Sequence, residues 1–130
     1  MYSEALIRST TRLSRRSSGD LRAIRRATTR IEELSAALDR QLLREARPEE
    51  QLRLLRQTTS QITRTANDAI QAYRRVTEGL RVESERSDTD PSEAARLSES
   101  LAEARTEMLT ALEVASQRYP WAKPWRPDDD

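Results

Sequence analysis

The chain has no cysteine and no histidine in its 130 residues. Without cysteine it can form no disulfide, thiol nucleophile or thiolate metal ligand. Without histidine it lacks the commonest metal ligand and the usual general base at neutral pH. Two glycines in all leave no Gly-rich loop to cradle a phosphate. Phenylalanine is absent and aromatic residues make up 4%. No apolar run approaches the roughly 18 residues of a membrane-spanning helix. These shortages weigh against an enzyme, and no catalytic residue, cofactor, metal or small-molecule substrate is expected.

What is present is charge. Charged residues make up 35% of the chain and hydrophobic residues another 35%, against about 45–50% apolar in an ordinary globular domain. Fifteen leucines, five isoleucines and three valines are the large aliphatic stock. So thin a supply would suggest disorder if net charge were high, but it is only +1. Arginine outnumbers lysine 22 to 1, which reads first as codon bias and second as guanidinium chemistry. The length suits one domain.

The apolar residues fall at helical spacing. Leu52, Leu55, Thr59, Ile62, Ala66, Ala69, Tyr73, Val76 and Leu80 repeat in steps of three and four, with Ile70 widening the stripe; only a helix gathers them on one face. This stretch, about 48–86, reads as the helix around which the others are arranged. Before it, Leu21, Ile24, Ala27, Thr28, Ile31, Leu34, Leu38 and Leu42 mark a helix over about 20–46. Pro48 starts the next helix after a tight turn, since proline fits a first helical turn. After it, Asp90-Pro91-Ser92-Glu93 combines an N-cap, a first-position proline and a capping-box glutamate. The last helix, about 91–119, carries Ala94, Leu97, Leu101, Ala104, Met108, Leu112, Ala115 and Tyr119. A short helix over about 3–18 should end at Ser17-Ser18-Gly19, with Gly19 in the left-handed position after the helix and Asp20 capping its successor.

The predicted fold is therefore all-α: an antiparallel bundle of three long helices, a short N-terminal helix and an extended tail. Residues 1–119 form the bundle domain and 120–130 the tail. The start of the chain is rich in Arg and Ser with one acid, Glu4. That faintly resembles a mitochondrial transit peptide, but an uncleaved cytoplasmic protein is the preferred expectation.

Charge is segregated along the chain. Residues 1–30 hold eight arginines against Glu4 and Asp20, whereas residues 85–113 hold eight acids against Arg86, Arg96 and Arg105. Pairing of the two regions, within the molecule or between copies, is the leading expectation. The alternative is a nucleic-acid-associated protein that binds phosphates through the Arg-rich N-terminal region, with Arg15, Arg16, Arg25 and Arg26 as its contacts. No aromatic residue lies among these arginines to stack on a base.

Three further patterns have plain explanations. Glu99, Glu103 and Glu107 make an acidic stripe at the spacing of bundle metal sites, but a solvated face is the simpler account. Thr58, Thr59, Ser60, Thr63 and Thr65 form either a polar notch or, more simply, a narrow seam of small residues beside an exposed face. Arg15-Arg16-Ser17-Ser18 and Arg25-Arg26-Ala27-Thr28 resemble basophilic kinase sites, as chance alone would produce in so arginine-rich a chain.

The tail holds both tryptophans and three of the five prolines. Proline favours an extended chain, and tryptophan is a common interface anchor. Tyr119, Trp121 and Trp125 are the expected partner-binding residues, whether they cap their own bundle or dock elsewhere. In size, helices and lack of cysteine the chain resembles the small helical-hairpin substrates of type VII secretion. That family's Trp-x-Gly turn is absent, Arg47-Pro48 holding its place, so the resemblance implies architecture alone. The function expected is a structural, interaction or assembly module within a larger complex, with self-association or a protein partner.

Overall fold

The computed structural model describes the backbone of residues 2–86 and 90–118, with side chains from Ser17 onward within those ranges. Three helices account for nearly all of it: α1 (Tyr2–Arg44), α2 (Pro48–Ser84) and α3 (Pro91–Arg118). No strand occurs among the described residues. The all-helical bundle follows from the spacing of its apolar residues.

One boundary is corrected. The expected break at Ser17-Ser18-Gly19 is absent, and the separate helix over 3–18 is the first part of the continuous α1. No described glycine adopts positive φ, so Gly19 is an interior helical residue. A glycine there costs about 1 kcal/mol relative to alanine. The apolar stripe nevertheless passes through it, because Ser17 (buried), Leu21 (half-buried) and Ile24 (buried) stand four and seven residues apart on one face. Packing along that stripe outweighs the local stop signal.

The α1–α2 connection is a three-residue turn. Arg47 takes an extended conformation before Pro48, and no side chain caps α2. Glu45 holds the turn together. Its carboxylate accepts from the Arg47 amide at 3.0 Å and from Arg47 Nε at 2.9 Å, while its carbonyl accepts from Gln51 Nε2 at 2.6 Å. The Arg47 guanidinium holds the Glu45 carboxyl down at about 2, from an ordinary value of 4.5. At the start of α3 the expected cap is present: Asp90 Oδ1 accepts from the Ser92 amide at 3.0 Å.

Three cross-helix contacts set the topology. Asp20, in the first half of α1, meets Arg75 near the end of α2, so α1 and α2 run antiparallel. Asp39, near the end of α1, meets Arg118 at the end of α3, so α1 and α3 run parallel. Arg105 of α3 lies over the Tyr73 ring of α2, 5.6 Å from its centre.

The core is small and rich in alanine. Ile24, Ala27 and Ile31 of α1 pack with Ala66, Ala69, Ala72 and Val76 of α2 and with Leu97, Leu101, Ala104, Met108 and Leu112 of α3. The alanines allow close helix approach where large side chains are scarce. The helix that joins the other two is α1 rather than α2: α2 and α3 each pack mainly on α1 and only lightly on each other. The α2 stripe is also weaker at its start than its spacing predicts, since Leu52 is exposed.

Candidate interaction surfaces

Among the described residues the arginines of the first thirty residues make no ion pair with the acids of α3. Two acids of α1, Asp20 and Asp39, are paired with arginines of the neighbouring helices. Arg75 Nε and Nη2 both donate to Asp20 Oδ1, at 3.1 and 3.0 Å, and Arg118 Nη1 stands 2.7 Å from Asp39 Oδ2. Both acids flank the packed stripe, where an arginine of a neighbouring helix reaches them.

Arg22, Arg25, Arg26 and Arg30 are all exposed. None of them is ion-paired among the described residues. Arg22, Arg26 and Arg30 follow one another at four-residue steps, a stripe about 12 Å long at 1.5 Å per residue. No acid occurs between Asp20 and Glu32 to interrupt it. Arg15 and Arg16 lie on the same helix, but their side chains are outside the described residues.

Glu99, Glu103 and Glu107 form the acidic counterpart on α3. They too are exposed and without an ion-pair partner among the described residues, and their stripe is also about 12 Å long. Among the described residues no group of three or more acidic, His or Cys side chains could hold a metal ion. The stripe is a solvated face.

The hydroxyl-rich middle of α2 does not converge into a notch. Thr58 is buried, Thr59 and Thr65 are half-buried, and Ser60 and Thr63 face solvent. The Thr65 hydroxyl donates to its own helix, to the Gln61 carbonyl at 2.8 Å. Ser17 and Thr28, in the two kinase-like sequences, are 3% and 8% exposed, which leaves them poorly accessible to a modifying enzyme. Beside the end of α2 a shallow groove of about 400 Å³ is lined by Gln71, Arg74, Arg75, Glu78, Gly79 and Val82. Its charges are mixed, and Arg75 is already engaged by Asp20.

Composition gave no signal for two buried polar groups. Glu83 is 2% exposed near the end of α2, where Arg86 Nη1 stands 3.3 Å from its carboxylate. Ser35 is buried in α1, and its hydroxyl has no hydrogen-bond partner among the described residues. Both occupy helical positions that spacing alone would have given to an apolar residue.

The expected anchors Tyr119, Trp121 and Trp125 lie outside the described residues. Among the described residues no helix is long and apolar enough to cross a membrane. Comparison with known proteins finds no matching family model, no similar curated protein and no similar solved structure.

Proposed function

We propose that the protein is a non-enzymatic interaction module, a helical assembly or adaptor element that associates through oppositely charged helix faces. The aromatic segment after α3 serves as a further contact. One observation carries this proposal: the basic stripe of α1 and the acidic stripe of α3 have equal length, opposite sign and no ion pairs among the described residues. Each exposed pair made between copies would contribute little, about 0–1 kcal/mol. Several acting together would give weak, salt-sensitive association. A second copy of the chain offers both faces at once, so homo-oligomerisation in a cytoplasmic setting belongs to the proposal.

A charge-swap experiment tests it. Arg22→Glu with Arg26→Glu should abolish self-association, and so should Glu99→Arg with Glu103→Arg. An equimolar mixture of the two variants should associate again. Failure of the mixture to associate would contradict the proposal.

The second reading is phosphate binding by α1. The continuity of α1 favours it, because Arg22, Arg25, Arg26 and Arg30 share one unbroken rod with Arg15 and Arg16. Duplex binding would then weaken steeply with salt, and replacing Arg15, Arg16, Arg25 and Arg26 would flatten that dependence.

A further inference from the structure

Three contacts between helices fix the levels of α1 and α3. Asp39 of α1 stands level with Arg118 of α3. Asp20 meets Arg75, and Arg105 of α3 covers Tyr73, two residues before Arg75. Because α1 and α2 are antiparallel, Arg105 comes level with Arg22. Arg22 and Arg25 therefore lie beside the part of α3 that carries Glu103 and Glu107, and Ala36 lies beside Val114.

The same contacts fix rotation, since a helix turns about 100° per residue. On α1 the row of Asp20 faces α2, and the row of Asp39, about 100° further round, faces α3. Arg25, Ala36 and Arg22 follow about 40°, 60° and 100° beyond Asp39. On α3 the row of Arg105 faces α2, and the row of Arg118, about 140° round, faces α1. Glu107, Val114 and Glu103 follow about 20°, 40° and 60° beyond Arg118. Both sets lie on the side of the α1–α3 pair turned away from α2.

All six residues are exposed, and the four charged ones have no ion pair among the described residues. Val114 is 51% exposed. The neighbouring charges leave this pattern intact. Glu32 and Glu33 come level with Thr110 and Val114 rather than with an acid, and Glu113 lies on the opposite flank of α3. Arg26 and Glu99, at the outer edges, repeat the signs of their own helices. Arg96 stands 3.9 Å from Glu93.

We propose that a second copy docks on this side about a two-fold axis parallel to the helices, laying its α1 over α3 and its α3 over α1. Arg22 and Arg25 then meet the partner's Glu103 and the partner's Glu107, and Val114 meets the partner's Ala36. Every contact is made twice. Charge selects the axis, because a two-fold axis lying across the helices would set α1 on α1, arginine against arginine. One patch serves both copies, so the assembly closes at two. The inference rests on the proposed association through charged faces and adds its geometry: copies parallel, in register and finite in number.

A chain without cysteine takes unique thiols. Full-length chain carrying Ala36→Cys is mixed with chain carrying Val114→Cys and treated with a short thiol cross-linker, at low and at high salt. Circular dichroism confirms that both exposed substitutions keep the helices. Sedimentation of the unmodified chain over a concentration series at low salt runs alongside. The expected result is a cross-linked heterodimer at low salt that is lost at high salt and is not formed by either variant alone. The unmodified chain should level off at twice 15.0 kDa. Antiparallel docking of the same arginines on the same glutamates would hold Ala36 and Val114 about 30 Å apart and give no cross-link. Association without a cross-link in the mixture, or a mass that climbs past two copies, would overturn this geometry while the charged-face reading stands. A mass of 15.0 kDa at every concentration would overturn both.

Discussion

Asp20 lies inside α1 and accepts two hydrogen bonds from Arg75 of α2, through Nε and Nη2, on a single carboxylate oxygen. In the sequence the same aspartate follows Ser-Ser-Gly and has the makings of a helix cap. As a cap it would have separated two helices; as an interior residue it joins two neighbouring ones. The surroundings of Gly19 decide which role holds.

Gly19 keeps helical φ, and an added Cβ would meet nothing within 4 Å. Gly19→Ala should therefore stabilise the protein by about 0.5–1 kcal/mol, raising the melting temperature by about 2–5 °C. Thermal melting by circular dichroism checks this. A helix that ended at a left-handed Gly19 would instead be destabilised by the added methyl.

Ile31 is fully buried in α1 among residues of all three helices. Ile31→Ala should cost about 2–5 kcal/mol, a large share of the stability of so sparse a core. Ile62, only half-buried on α2, should tolerate Ile62→Ala at a smaller cost. Urea unfolding of the two variants measures the difference, and equal losses would put the core register in error.

Ser35 offers the opposite test. Its hydroxyl is buried with no hydrogen-bond partner among the described residues, and serine is a poorer helix former than alanine. Ser35→Ala should leave stability unchanged or raise it by up to about 1 kcal/mol, as read from the urea midpoint. A loss of stability would mean that the hydroxyl has a partner.

The turn carries a pH signature. The folded Glu45 carboxyl is held at about 2 rather than 4.5, first by its hydrogen bond from the Arg47 side chain. A depressed folded value stabilises the fold above the unfolded value, and that contribution is lost as pH falls from about 4.5 towards about 2. Added salt should reduce the effect, because the pair is at the surface. Carbonyl chemical shifts should show Glu45 titrating well below its ordinary value of 4.5, and Arg47→Ala should return it towards that value.

Much of the bundle was legible because periodic spacing survives folding. Ile24, Ile31, Leu38, Leu97, Leu101, Met108 and Leu112 are buried where their spacing places them, and Asp90-Pro91 starts α3 as its local chemistry requires. The break at Gly19 was misread because a local stop signal costs about 1 kcal/mol, less than the packing of the stripe running through it. The direction of ion pairing was illegible for a different reason. Whether Asp20 meets Arg75, or an α1 arginine meets an α3 glutamate, depends on the rotation of each helix about its axis. That rotation follows from core packing and is not encoded in charge counts. Glu83 and Ser35 were missed because they are polar residues in positions that periodicity assigns to the core.

On the proposed function, oppositely charged helix faces without ion pairs among the described residues bring copies of the chain together. Sedimentation of the full chain across a salt series tests it most directly, because surface charge pairing weakens as the screening length shrinks from about 30 Å at 0.01 M to about 8 Å at 0.15 M. The expected result is a mass above 15.0 kDa at low salt that falls to the monomer value as salt rises. A mass of 15.0 kDa at every salt concentration would contradict it.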